Sequence, residues 1–216
     1  DLQPQIEPAL EEAMQAIKKT ASRLRAHGFE PSSDEPEGAH SIRGRHRVGK
    51  TGGILFEKHE NPLDWKLSVI AHAYVGKEKI EFEVGGYGSI HSPIGYRGLR
   101  GSTIYSFGRG SDDLSPRMRP VTRNLASDLA DVISDILNEG EEAEAKITKD
   151  LLKEDRLMLG WLEEDGLMTP DFERVKQRVE RGIPMTREER EALQTARKKT
   201  TAARVASRYL LKIAFE

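Results

Sequence analysis

The chain has no cysteine at any of its 216 positions. That one absence excludes disulfides, thiolate metal sites and cysteine nucleophiles together, and it fits synthesis in a reducing cytoplasm. No apolar run approaches the roughly 20 residues that a membrane-spanning helix needs. Glu7, Glu11 and Glu12 interrupt the stretch where a secretory signal would carry its apolar centre, so a soluble chain that is not processed for export is expected. Acid is missing from the far end of the chain. Between Glu191 and Glu216 there is no Asp or Glu, while Arg197, Lys198, Lys199, Arg204, Arg208 and Lys212 all fall there. No internal repeat is visible.

What is present is charge in unusual amount, 32% of residues against 37% hydrophobic. Such a chain still buries a core but must keep a large charged surface in water, and long solvated helices are the natural place for it. The formal net charge of −2 hides a segregation, because residues 128–165 hold 13 acidic and 4 basic residues, a net of −9. Opposite blocks on one chain can pair within the molecule or across a subunit contact. The length fits one domain with an elaboration, or two small ones.

Ile6, Leu10, Met14, Ile17, Ala21 and Leu24 recur every three or four residues, which predicts an amphipathic helix closing near His27 and Gly28. Residues 29–53, with two prolines and five glycines, read as a long loop. A sheet follows. Leu67, Val69, Ala71, Ala73 and Val75 alternate with Ser68, Ile70, His72 and Tyr74, and Ile80, Phe82 and Val84 alternate with Lys79, Glu81 and Glu83. That pattern predicts two strands with one face buried and the other wet, joined by a hairpin turn at Gly76, Lys77 and Glu78. Residues 54–58 and 103–107 are weaker strand candidates. Residues 85–101 carry six glycines and read as a long excursion from the sheet, pinned by a neighbour.

Helical periodicity returns at Val121, Leu125, Leu129, Val132, Ile133 and Ile136, ending toward Gly140, and a second, acidic helix carries Ile147, Leu151, Leu152, Met158, Leu159 and Leu162. Thr169, Pro170 and Asp171 form a helix start, with a capping hydroxyl, a proline where no amide bond is lost, and an acid near the positive helix end. That helix stops at Gly182. Thr186 with Glu189 makes a capping box for the last helix, whose middle is thinly apolar and gains little by folding onto its own domain. The expected fold class is α+β: an N-terminal helix, an antiparallel sheet and a second helix over residues 1–139, then an all-helical extension over residues 140–216.

The sharpest motif is Gly44-Arg45-His46-Arg47-Val48-Gly49-Lys50-Thr51, which satisfies the phosphate-loop pattern letter for letter. That chemistry needs a buried strand before the loop and a helix after it, so that backbone amides wrap the phosphates. Here the preceding residues are polar, and Gly52 to Phe56 lead toward a strand, which favours a basic surface loop over a nucleotide-binding enzyme. Histidines 27, 40, 46, 59, 72 and 91 show no helical i, i+4 pair, so no metal site is expected. Asp112 and Asp113 read as turn residues rather than a catalytic pair. Neither a cofactor nor a catalytic group is expected.

Arg97, Arg100, Arg109, Arg117, Arg119 and Arg123 are interleaved with Tyr96, Tyr105 and Phe107. Guanidinium and aromatic groups beside glycine serve nucleic-acid phosphates and bases, and they are equally enriched at protein interfaces. Partner contacts are therefore expected at Tyr96, Arg97, Arg100, Tyr105, Arg109, Arg117 and Arg119, with Arg197, Arg204 and Arg208 on the last helix.

The order of these pieces resembles the tail-completion or neck proteins that join head to tail in long-tailed phages. The likeness covers residues 5–138 and rests on the N-terminal helix, Thr51-Gly52-Gly53-Ile54-Leu55, a hairpin, Tyr105-Ser106-Phe107-Gly108, and Ser115-Pro116-Arg117-Met118-Arg119-Pro120 leading into a helix. It implies a helix-sheet-helix fold, no catalysis, and a ring of copies at the head-to-tail junction, made in the host cytoplasm and assembled into the virion with other virion proteins. The expectation is thus a non-enzymatic structural subunit that binds copies of itself and does not bind a membrane. A nucleic-acid-binding protein is the first alternative and a nucleotide-binding enzyme at residues 44–51 the second.

Overall fold

The computed structural model describes residues 5–32, 49–75, 80–105, 118–120 and 124–214. The chain divides into two compact units, Asp1–Glu144 and Ala145–Glu216, and the fold is mixed α+β. The elements are α1 (Ile6–Ala26), β1 (Glu30–Pro31), β2 (Gly49–Glu60), β3 (Leu63–Val75), β4 (Ile80–Ser92), β5 (Gly95–Tyr105), β6 (Met118–Pro120), α2 (Leu125–Glu164), α3 (Pro170–Glu180) and α4 (Arg187–Ala214). The unit boundary falls inside α2.

In the first unit, α1 buries Ile6, Ala13, Ala16, Ile17, Thr20 and Leu24, a stripe at helical spacing that points at the sheet. It closes as its sequence predicts. The Gly28 amide donates to the Arg25 carbonyl at 2.9 Å, and Gly28 has φ +83°, a backbone that favours glycine. The six strands lie in the order β1-β2-β3-β4-β5-β6. Neighbours from β1 to β5 are antiparallel, and β6 joins β5 in parallel.

Cross-strand partners share a face of the sheet. The register aligns Gly52, Ala71, Val84 and Ile104 in one row, and Gly86 opposite Val69 on the same face. A side chain at Gly52 would meet Met14 of α1, and one at Gly86 would meet Ile136 and Val132 of α2. Both helices therefore pack on that one face, and Ile17, Leu24, Phe56, Val69, Ile104, Leu129 and Ile133 form the core between them. Trp65 completes it, with its ring edge-to-face with Phe29 at 5.8 Å and the Lys58 ammonium 5.5 Å from its centroid.

Four expectations are corrected. Residues 85–101 are not a loop excursion, because they form most of β4 and β5, paired from Glu83 with Tyr105 to Ser92 with Gly95 around a bulge at Gly86 and Gly88. The glycines serve close approach: a Cβ on Gly101 would strike the Gly86 carbonyl, so a sequence feature that weakens an isolated strand is what lets these two pair. Second, the supposedly wet face of β3 is buried, with Ser68, Ile70 and Tyr74 at 3%, 1% and 5% exposure. β3 is an inner strand covered on both faces, and alternation fails in such strands. Third, Glu30–Pro31 pairs as β1 and Gly49, Gly52 and Gly53 belong to β2, so the expected loop over 29–53 is strand at both ends, and residues 33–48 lie outside the described residues. Fourth, α2 runs without a break through Gly140. One glycine lowers helix stability without removing a hydrogen bond. The predicted turn at Gly76, Lys77 and Glu78 and the Asp112-Asp113 pair also lie outside the described residues.

The second unit is helical. Met158, Leu159, Leu162, Val175, Val179, Met185 and Leu193 make its core. Both predicted helix starts are formed: Thr169 Oγ1 accepts from the Phe172 amide at 3.3 Å, and Thr186 and Glu189 exchange bonds of 3.2 and 2.8 Å. Below them lies a buried ion pair that periodicity did not announce, between Asp155 at 0% and Arg190 at 4% exposure. Asp155 Oδ2 also accepts the Met185 amide at 2.8 Å, and Arg190 donates to the Leu151 carbonyl at 3.2 Å. Desolvation holds the Asp155 carboxyl above its ordinary pKa, against the opposing pull of the Met185 amide and the Arg190 charge.

Candidate interaction surface

β4 and β5 are long strands joined by a tight turn. Ser92 Oγ donates to the Gly95 carbonyl at 2.9 Å, and Gly95 takes φ +134°, which few side chains tolerate. The turn carries six consecutive exposed residues, Pro93, Ile94, Gly95, Tyr96, Arg97 and Gly98. Ile94 is 40% and Tyr96 76% exposed. Beneath them the hairpin is anchored, since Ile90 is fully buried and Leu99 nearly so, and the Arg100 amide donates to Glu139 Oε2 of α2 at 3.1 Å. Tyr96 is itself held in place, its ring stacked on His91 at 5.8 Å, and Ser89 Oγ lies 3.0 Å from His91 Nε2. The result is a firmly based hairpin that presents an aliphatic group, a phenol and two guanidinium groups to solvent.

Tyr96, Arg97 and Arg100 thus lie on one strand, β5, where Tyr96 and Arg97, as neighbours, start from opposite faces. Tyr105 ends β5 and Arg119 lies in β6, in register with Ile104, but their side chains, like those of Arg204 and Arg208 in α4, are not among those described. Arg109 and Arg117 lie outside the described residues altogether. Arg197 is exposed on α4 in the second unit, its guanidinium 4.1 Å above the Trp161 ring.

The phosphate-loop string meets a different setting. Its first five residues are outside the described residues, and Gly49, Lys50 and Thr51 are extended in β2, opposite Tyr74, Ala73 and His72. Adjacent residues of a strand point to opposite faces, so this lysine and hydroxyl cannot address one phosphate. Each has its own partner. Lys50 pairs with Glu7 of α1, and Thr51 Oγ1 lies 2.7 Å from His72 Nδ1.

The sheet register also assembles polar groups that the sequence reading left apart. His72 stacks near Tyr74, whose hydroxyl donates to the buried Glu83 at 3.1 Å. Burial holds the His72 imidazole below its ordinary pKa and, with Glu83 and Glu81, pushes the Tyr74 phenol up. At the hairpin end, His59, Asp64 and His91 stand side by side on three strands, with His59 Nδ1 2.9 Å from Asp64. A search for helical i, i+4 pairs misses such a row, because only the two-residue turn at Asn61 and Pro62 and the β3 to β4 register create it. Among the described residues, no group of three or more acidic or histidine side chains has the arrangement of a metal site, and no helix is long and apolar enough to cross a membrane.

Compared with known proteins, the chain matches no family model, no curated protein and no solved structure.

Proposed function

We propose that this chain is a non-enzymatic assembly subunit of a phage-type particle, acting at the neck or tail junction, and that the tip of the β4 to β5 hairpin inserts into a neighbouring subunit. The observation that carries this reading is the tip itself: Ile94 and Tyr96 stand exposed at 40% and 76% on a base locked by Leu99, Ile90 and the Glu139 bond. A firmly based aromatic anchor on a strand that also exposes arginine has the composition of the few residues that dominate binding at an interface. Holding it in place beforehand lowers the entropy cost of association. The helix-sheet-helix order of the first unit agrees with the neck-protein resemblance, and assembly into a virion within the host cytoplasm belongs to the same reading.

The deciding experiment images the native assembly and counts copies of the chain about its axis. Several copies with the hairpin buried between neighbours support the proposal. Isolated chains with Tyr96 in solvent overturn it. A second reading draws on the same tip: Tyr96, with Arg97 and Arg100 on the same strand, also supplies stacking and phosphate-binding groups. It requires affinity for single- or double-stranded nucleic acid that falls steeply with salt, and no binding at low salt removes it.

A further inference from the structure

In the second unit, Arg190 of α4 meets Asp155 and Leu151 of α2, and one stretch further along Arg197 meets Trp161. The two helices therefore run side by side in the same direction. α2 ends at Glu164, whereas α4 continues to Ala214. In that register α4 outruns its support by about 14 residues, roughly 20 Å at the helical rise. The burial pattern agrees, since no residue from 194 to 203 is buried although all are helical. A helix that buries so little is marginal on its own, and residues 194–203 leave most of their surface open to a partner.

The neighbouring face of α2 has the same incompleteness. Leu157 is 53% and Trp161 38% exposed, one turn apart. A side chain added at Gly160 between them would meet nothing within 4 Å, which leaves a notch where another backbone can approach. On helical geometry Asp150 and Glu164, both exposed, fall within an arc of ~60° that also holds Leu157 and Trp161. Acid thus stands at both ends of the apolar strip, with Lys153 at its side, and α4 beside it displays Lys198 and Lys199 in a stretch without a single acidic residue between Glu191 and Glu216.

We infer that this face is a contact between two copies of the chain, in which the unburied stretch of α4 that carries Lys198 and Lys199 in each copy lies across Leu157, Gly160 and Trp161 of the other. Each copy carries both halves of the match, the basic helix and the acid-flanked apolar strip, which is the condition for a self-complementary contact. The inference deepens the assembly reading but stands on the second unit. The hairpin variant Tyr96→Ala leaves this face untouched, so failure of the one is distinguishable from failure of the other.

The test is sedimentation of the full chain. The wild type is expected to associate, and Leu157→Ser to lose that association at equal concentration. Charge reversal then identifies the occupant. Lys198→Glu with Lys199→Glu, and separately Asp150→Lys with Glu164→Lys, each leave like charges opposed, so each variant alone is expected to be monomeric. Mixed, they restore opposite charge at both contacts, and association is expected to return, which also shows that both variants are folded. A wild-type chain that stays monomeric at high micromolar concentration, or variants that associate as the wild type does, overturns the inference. So does a mixture that stays monomeric, or a Lys198→Glu, Lys199→Glu chain that loses nucleic-acid binding while its self-association is unchanged.

Discussion

Two glycines of the same helix meet opposite surroundings. Gly140, in the first unit, lies against the Trp65 ring so closely that a Cβ would run into it, whereas a Cβ on Gly160, in the second, would meet nothing within 4 Å. The polar interiors differ as well. The first unit buries a hydrogen-bonded pair, Tyr74 with Glu83. The second buries an ion pair, Asp155 with Arg190. The first unit uses α2 as one wall of a closed core, and among its described residues the exposed large apolar side chains are Ile94 and Tyr96 of the hairpin tip. The second uses the same helix as a partial support, with apolar side chains left at its surface. The exposed apolar groups of the first unit sit on a firmly based turn, whereas Leu157 and Trp161 in the second lie along a helix, which is why the self-contact is proposed there.

The contrast can be broken hardest at the buried ion pair. Arg190→Ala leaves Asp155 charged or forces it to take a proton, and is expected to cost the second unit about 3–5 kcal/mol, read as a fall in its unfolding midpoint in urea. Replacing both partners by apolar residues of similar volume is expected to cost far less. Next comes the glycine comparison. Gly140→Ala is expected to destabilise the first unit by about 1–3 kcal/mol through overpacking against Trp65, while Gly160→Ala stabilises its unit by about 0.5–1 kcal/mol through helix propensity. Equal shifts from the two would show that Trp65 does not press on the helix. Loss of the Thr169 cap in Thr169→Ala is smaller, about 1 kcal/mol, and falls on the second unit alone.

The two units should also answer pH with opposite signs. His72 has its pKa lowered from 6.5 by burial, so the folded state holds the neutral imidazole, and its stabilising contribution is lost as pH falls below 6.5 through the folded value. Asp155 has its pKa raised from 3.8, mainly by burial. Its contribution is present at low pH and is lost as pH rises above 3.8 through the folded value. Melting curves of His72→Gln and Asp155→Asn against the wild type, at pH values across these windows, are expected to differ in opposite directions. The smallest expected effect on stability is that of Tyr96→Ala, within about 0.5 kcal/mol because the ring is mostly in water. Its loss should appear in assembly alone, and a large drop in melting temperature would show that the His91 stack holds the fold rather than a partner.

The capped helix ends, unlike the one expected at Gly140, were read well from the sequence because their causes lie within a few residues. The Thr169 hydroxyl, Pro170, the Thr186 and Glu189 box and the close at Gly28 each need only a neighbour on the same turn, and each is formed. The proposed contact residues Tyr96, Arg97 and Arg100 were legible as a composition but not as a place, since the glycines around them read as a loop. Whether a glycine-rich segment is loop or strand depends on what passes beside it, and here Gly86 passes Gly101. The Lys50 and Thr51 string had the letters of a phosphate site, yet the strand pairing that turns the two side chains to opposite faces is a long-range event.

The amino-acid order by itself determined the α+β class, the amphipathic stripe of α1, the caps of α3 and α4, and the segregation of acid from base, since these follow from backbone chemistry and periodicity over one or two turns. Tertiary structure alone decided that β4 and β5 pair through their glycines, that α2 crosses Gly140 unbroken, that Asp155 and Arg190 are buried together, and that α4 outruns its support. Each of these sets side by side residues that lie far apart along the chain, and the packing that joins them leaves no local pattern to read.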